Sequence, residues 1–288
     1  MSPLLLFDLD NTLVNRNLAF RGWAEQFLGD RSLPPGDLDW FTTLDCGGYL
    51  DRRVLLRAAT DRYGLSERME AMLEEYRATV TALIHCPTAH LDALRAARAA
   101  GWTLGIVSNG ATDQQRAKIE RTGLADLVDG WVISEEVDCA KPDPRIFTLA
   151  AFRCGIDTGT DWTAGAWMVG DHAPADIAGA TVAGIRSVWL AHGRAWPETG
   201  YTPTRTARSL PEAVAGVLAA GSSTRPGPRG PELTTQPGLQ PEPQLNPRPE
   251  TELNLDTELN LDIDPEFDRA LGRTHRVPRP YERVTVAG

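Results

Sequence analysis

Lysine is almost missing: 288 residues contain two, Lys118 and Lys141, so arginine carries nearly all the positive charge. With 39 acidic against 29 basic side chains and a formal net charge of −10, there is no cationic excess to track a phosphate backbone or an anionic membrane. That composition excludes nucleic acid and membrane as expected partners and leaves room for a local basic pocket that takes a small one. Cysteine is sparse too. Cys46, Cys86, Cys139 and Cys154 are far apart, with no C-x-x-C pair and no histidine at metal-finger spacing, so free thiols are expected rather than a disulfide frame or zinc module. No run approaches the ~20 apolar residues of a membrane span. The opening Met-Ser-Pro-Leu-Leu-Leu-Phe-Asp has no basic segment and its apolar run stops early, so neither signal peptide nor anchor is expected and a cytoplasmic location follows by default.

What is present divides unevenly. From Gly221 onward the chain holds 11 of its 21 prolines and only Phe267 and Tyr281 as aromatics, a composition that cannot bury enough apolar surface to offset chain entropy. Residues 221–288 are therefore expected to be a disordered, proline-rich tail. Within it the hexamer T-E-L-N-L-D occurs twice, over residues 251–262, and reads either as a docking motif for a protein partner or as low-complexity duplication. Upstream, short apolar runs alternate with helical patterns, which predicts an α/β fold with a Rossmann-like parallel sheet. The expected strands are Leu4–Phe7, Thr103–Val107, Trp131–Ile133, Trp167–Val169 and Ser187–Leu190. The expected crossover helices are Leu91–Ala100, Asp113–Thr122 (closed by Gly123), Pro144–Phe152 and Ala175–Val182. Between Asn15 and Cys86 this rhythm fails. A helical stripe at Met69, Met72, Leu73, Tyr76, Val80 and Leu83 marks ordinary core packing there, with Arg68, Glu70, Glu74, Glu75 and Arg77 off the face. The resulting division is a core domain (1–14 and 87–220), an inserted helical domain (15–86) and the tail.

The strongest chemical signal is Leu4-Leu-Leu-Phe-Asp8-Leu-Asp10-Asn-Thr12, a buried strand ending in two carboxylates one residue apart. Ligands of an open parallel sheet bind outside the carboxyl ends of its strands, so both acids stand where a site belongs. Two acids this close repel; both ionise comfortably only beside a cation, or one keeps its proton. Either state is useful, one carboxylate as nucleophile next to a metal and the other as proton carrier. A solvated turn would account for one Asp and the Asn-Thr pair but leaves the second Asp idle. Ser108-Asn109-Gly110 ends another strand just before a helix, where a hydroxyl and backbone N–H groups face an anion. Lys141-Pro142 precedes a proline-started helix and can neutralise a phosphate. Gly170-Asp171-His-Ala-Pro-Ala-Asp176 ends a fourth strand in an acidic loop whose oxygens suit Mg²⁺.

Taken together and in this order, Asp8-x-Asp10-x-Thr12, Ser108, Lys141-Pro142 and Gly170-Asp171-x4-Asp176 resemble the four motifs of the haloacid dehalogenase-like hydrolase superfamily, over about Leu4 to Leu190. The helical insertion after the first motif resembles the C1-type cap of its subfamily I. The resemblance implies a Mg²⁺-dependent phosphatase that forms an aspartyl-phosphate. Asp8 would be nucleophile and metal ligand, and Asp10 general acid then base, with its main-chain carbonyl on the metal. Thr12 would orient Asp10. Ser108 and Lys141 would hold the phosphoryl oxygens, with Asn109 helping through its backbone N–H; Asp171 would ligate Mg²⁺ and Asp176 support it. No histidine is required at position 172, where local packing or capping is expected.

The same resemblance ranks the alternatives. A dehalogenase typically lacks the second acid, which Asp10 supplies, and a phosphonate hydrolase needs a cap lysine, whereas no lysine precedes Lys118. A phosphomutase stays open, as does a non-catalytic regulatory or scaffold protein acting through the tail. The substrate is expected to be a small soluble phosphorylated metabolite. The insertion residues that could reach it are Asn15, Arg16, Arg21, Asp45, Gly47, Gly48, Tyr49, Arg52 and Arg53, with Cys46-Gly-Gly-Tyr read as a flexible loop. Arginines there suit a second anionic group or are simply surface charges.

Overall fold

Apolar runs flanked by polar residues become buried strands when helices cover both faces. In the computed structural model, which describes residues 3–159 and 161–223, β1 (Leu4–Phe7) is buried along its whole length. It pairs in parallel with β2 (Thr103–Ser108) on one side and β4 (Ala166–Gly170) on the other, Leu6 standing opposite Gly105 and Met168. With β3 (Gly130–Ile133), β5 (Arg186–Leu190) and β6 (Arg205–Ala207) the order is β3-β2-β1-β4-β5-β6, all parallel. This is the Rossmann-like arrangement. The chain steps outward from β1 to β3 and then returns to start again at β4, which leaves a crevice beyond the carboxyl ends of β1 and β4.

Helices close both faces. α8 (Pro144–Arg153) and α9 (Ala178–Val182) pack together, and Ile146, Phe147, Ala150 and Ala180 share a core with Leu4, Leu6, Val107 and Met168. α5 (Thr88–Ala99) and α10 (Leu210–Ser223) pack on each other and reach β2 and β5. α6 (Thr112–Arg121) follows β2 and ends before Gly123, whose φ of +72° only a glycine adopts cheaply. α7 (Ser134–Val137) is a single turn after β3. α8 starts as its sequence dictates, with Asp143 capping the Arg145 N–H and Pro144 in the first turn.

The insertion folds as four helices, α1 (Arg16–Asp30), α2 (Leu38–Asp45), α3 (Arg52–Tyr63) and α4 (Met69–Leu83). The stripe on α4 buries Met72, Leu73, Tyr76 and Val80. Tyr76 meets Trp23 at 4.9 Å between ring centroids, and Trp23 meets Phe41 at 5.7 Å, both edge to face, the geometry aromatic quadrupoles prefer. These helices and the sheet fall in one compact unit.

Three expectations change. α5 begins at Thr88, three residues before the expected start. The helix expected over Ala175–Val182 is a wide π-type turn, Ala173–Ile177, leading into α9; the extra residue per turn turns Asp176 inward. α10 runs to Ser223, past the expected tail boundary at 221; the rest of that tail, with the 251–262 repeat, lies outside the described residues. No described helix is long and apolar enough to cross a membrane.

Candidate active site

Three strand ends and one helix-preceding loop deliver the site. Asp8 leaves β1 with its backbone still in the sheet, its N–H donating to the Val169 carbonyl at 2.9 Å, so the carboxylate is fixed at the floor of the crevice and buried. Ser108 ends β2, and Asp171 follows β4. Lys141 comes in from the loop before α8. Asn109 sets that loop: its side-chain amide donates to the Lys141 carbonyl and accepts the Lys141 N–H, both at 2.9 Å. Asn109 therefore contributes through its side chain, in addition to any role for its backbone N–H.

The Lys141 ammonium donates to Asp8 Oδ1 at 2.7 Å, Asp176 Oδ1 at 2.8 Å and the Val107 carbonyl at 2.7 Å, which uses all three of its protons. Burial disfavours that ammonium, yet the two carboxylates hold its pKa above the ordinary lysine range. Asp176, fully buried, also accepts the His172 N–H through its other oxygen at 2.9 Å. Gly170 is required by this approach, since a β-carbon there would sit 2.2 Å from Asp176 Oδ2.

Burial pushes the Asp8 carboxyl up to about 7, because the Lys141 charge that opposes this is divided with Asp176. Asp171 is raised further, to about 8, by burial and by repulsion from Asp8 and Asp176. Its main chain is clamped by Trp189 Nε1 at 3.0 Å and Arg194 at 2.8 Å, while its Oδ1 is buried with no hydrogen-bond partner among the described residues. One oxygen from each of Asp8, Asp171 and Asp176 lies within 4.8 Å of the others. Hard oxygens, surplus negative charge and an orphaned Oδ1 fit a small divalent cation such as Mg²⁺. Both Asp176 oxygens are already engaged, so Asp8 and Asp171 are the better side-chain donors.

Asp10 faces another way. Lys118 Nζ donates to both its oxygens, at 2.8 and 2.7 Å, and Gln115 Nε2 to one of them at 3.0 Å and to Ser108 Oγ at 2.6 Å. Burial alone would raise the Asp10 pKa; Lys118 and Gln115 bring it below the ordinary carboxylate value. The sequence reading missed both residues. Their signal was there, because Lys118 is as rare as Lys141 and lies three residues after Gln115, on the same face of the helix that follows Ser108. Arg194 and Trp189 carried no such signal. Thr12 is buried and its hydroxyl makes no hydrogen bond among the described residues, so it is not seen orienting Asp10.

Above Asp10 lies a cavity of about 340 Å³ between the insertion and the core. Of the insertion candidates, Arg16, Gly48, Tyr49, Arg52 and Arg53 line it. Asp45 lies behind and binds both Arg16 and Arg52. Asn15 is exposed, and Arg21 pairs with Glu25 on the surface. The Cys46-Gly-Gly-Tyr segment is tied to the core: Asn11 Nδ2 donates to the Gly47 carbonyl at 3.2 Å, and the Tyr49 ring stacks on His172 at 3.8 Å.

The profile of the haloacid dehalogenase-like hydrolases matches residues 3–184. The chain is 44% identical over 110 residues to pyrimidine 5'-nucleotidase YjjG of Escherichia coli (strain K12), a match covering 38% of this chain and 47% of that protein. It is 34% identical over 146 residues to a phosphoserine phosphatase of Thermus thermophilus, covering 51% and 56%. The chain thus spans about half the length of these curated relatives. Among solved structures, the HAD-hydrolase YfnB from Bacillus subtilis shares the fold with a TM-score of 0.63 at 21% identity, over 75% of this chain and 98% of that one.

Proposed function

Since the chain belongs to the haloacid dehalogenase-like hydrolases, we propose that it hydrolyses a small soluble phosphomonoester through an aspartyl-phosphate on Asp8, with residues 15–86 acting as a cap over the 1–14 and 87–220 core. The observation that carries this reading is the Asp8 carboxylate buried at the sheet's switch point and held 2.7 Å from the Lys141 ammonium. A carboxylate so fixed is aimed rather than solvated, which is what in-line attack on phosphorus needs.

In the first half-reaction the ionised form of Asp8 attacks phosphorus and the bond to the leaving alcohol breaks; Asp10, whose carboxylate form Lys118 and Gln115 favour, gives the alcohol a proton taken up with the substrate monoanion and returns to that favoured form. Lys141 and the Ser108 hydroxyl take up the charge on the phosphoryl oxygens. In the second, Asp10 removes a proton from water, which attacks the acyl phosphate, releases inorganic phosphate and restores Asp8. Mg²⁺, held by Asp8, the Asp10 carbonyl and Asp171, would supply Lewis-acid neutralisation of the phosphoryl oxygens. Asp176 supports the site by holding Lys141.

Asp8→Asn should be inert. Asp10→Asn, given an aryl phosphate whose leaving group needs no proton, should still phosphorylate Asp8 and then stall. Acid-quenched protein would carry label that hydroxylamine releases; label on Asp8→Asn would overturn the nucleophile.

A further inference from the structure

The lining of the cavity above Asp10 departs from the rest of the chain. In a molecule of net charge −10 it presents five cations, Arg16, Arg52, Arg53, Arg77 and Lys118, against two carboxylates, Asp10 and Asp51. Lys118 is matched by Asp10 and Arg53 by Glu70. Arg16 and Arg52 are different, because both lean on the single carboxylate of Asp45, which is buried with Arg16. Two guanidiniums on one carboxylate leave a largely buried unit with a net positive charge, and such a charge is costly away from water unless something neutralises it. Arg77, exposed on α4, lines the same cavity; its charge is felt by Glu70 and Glu135, but it closes no salt bridge with either among the described residues. Asp10, the group that would protonate the leaving alcohol, lines this cavity together with Asn109 and Gly110 of the loop after Ser108, which puts the cavity on the leaving-alcohol side of the site.

We propose that the preferred substrate carries a second anionic group, carboxylate or phosphate, on its leaving alcohol, received by Arg77 and the Arg16–Asp45–Arg52 unit. This rests on the phosphatase reading above. Guanidinium forks pair with the planar or tetrahedral oxygens of such a group and give little to a hydroxyl. The volume of about 340 Å³ admits the body of a small metabolite beside the phosphoryl site.

Two matched pairs separate charge from size: 3-phosphoglycerate against glycerol 3-phosphate for a carboxylate, and fructose 1,6-bisphosphate against fructose 6-phosphate for a phosphate. With the full chain and Mg²⁺, kcat/KM for the charged member should exceed that of the neutral one by about tenfold or more in at least one pair, the size of one charge-assisted hydrogen bond. Arg77→Gln, a surface change that leaves the Asp45 cluster intact, should bring that ratio towards one. Equal turnover of charged and neutral members in both pairs would overturn the inference, as would a ratio that Arg77→Gln does not alter. p-Nitrophenyl phosphate distinguishes the two levels. Its hydrolysis with no charge preference defeats this inference alone, whereas no phosphate release from any of the five compounds defeats the phosphatase reading and this one with it.

Discussion

Each of the two lysines is paired with one acid of the Asp8-x-Asp10 motif, Lys141 with Asp8 and Lys118 with Asp10. The environments are opposed: Asp8 is pushed up and Asp10 down. A single-residue change at Lys118 therefore isolates what positioning Asp10 contributes. Lys118→Met should lower kcat for an alkyl phosphate by about tenfold or more, the range in which a displaced acid–base group operates, with KM within about threefold. Lys118→Arg should restore part of the rate, because the guanidinium keeps the charge and two donors. Steady-state kinetics, with thermal melts confirming that both variants fold, would decide it; an unchanged kcat in folded Lys118→Met would show that Asp10 orients itself. Why the sequence announced Lys141 but not Lys118 is a matter of position. Lys141 stands beside a proline in the loop just before a proline-started helix, whereas Lys118 lies mid-helix, 108 residues from the carboxylate it grips, where helical surface charge is the ordinary expectation.

At the scale of elements, close packing makes glycines unequal. A β-carbon on Gly179 would meet the Phe147 ring at 2.7 Å and the Pro142 Cα at 3.0 Å, so α9, α8 and the loop carrying Lys141 all depend on that absence. On Gly29, exposed in α1, it would meet nothing within 4 Å. Gly179→Ala should cost about 1–3 kcal/mol by overpacking, and Gly29→Ala should gain up to about 1 kcal/mol in helix propensity. Urea denaturation of the two variants should move the midpoints in opposite directions; a common sign would refute the packing account. The same elements show what could be read beforehand. β1 to β5 were legible to within one residue at each end, because each is an apolar run, and the first four are cut off by Asp, Ser, Gly or helix-starting residues. β6 was not: its Arg205 and Thr206 are exposed and it joins the sheet edge through backbone bonds to β5, which leave no apolar mark. The π-type turn at Ala173–Ile177 was hidden for a related reason, since its shape follows from where Asp176 must point and not from local propensity.

For the whole molecule, the acidic cluster couples folding to protons, and under the proposed function it would couple folding to Mg²⁺ as well. In the unfolded chain Asp8 and Asp171 titrate near 3.8; in the folded, metal-free protein burial and mutual repulsion raise them to about 7 and about 8. Between those limits the folded state holds protons that the unfolded state has released. The contribution of both groups is therefore fully present below about pH 4 and is lost as pH rises through 7 and 8. Mg²⁺ needs the same two carboxylates ionised, so it competes with those protons and replaces their effect with its own. Metal-free protein should accordingly lose stability relative to Asp171→Asn between pH 5 and 8, since the amide has no charge to desolvate. Saturating Mg²⁺ should raise the melting temperature of the unsubstituted protein more at pH 8 than at pH 5, and should do much less for Asp171→Asn at either. Differential scanning fluorimetry at the two pH values, with EDTA or Mg²⁺, gives all the comparisons in one series. A Mg²⁺ shift that is the same at pH 5 and pH 8, or one that survives intact in Asp171→Asn, would mean that the cation is held elsewhere and that the Asp8–Asp171 pair owes its raised pKa values to burial without a metal-binding purpose.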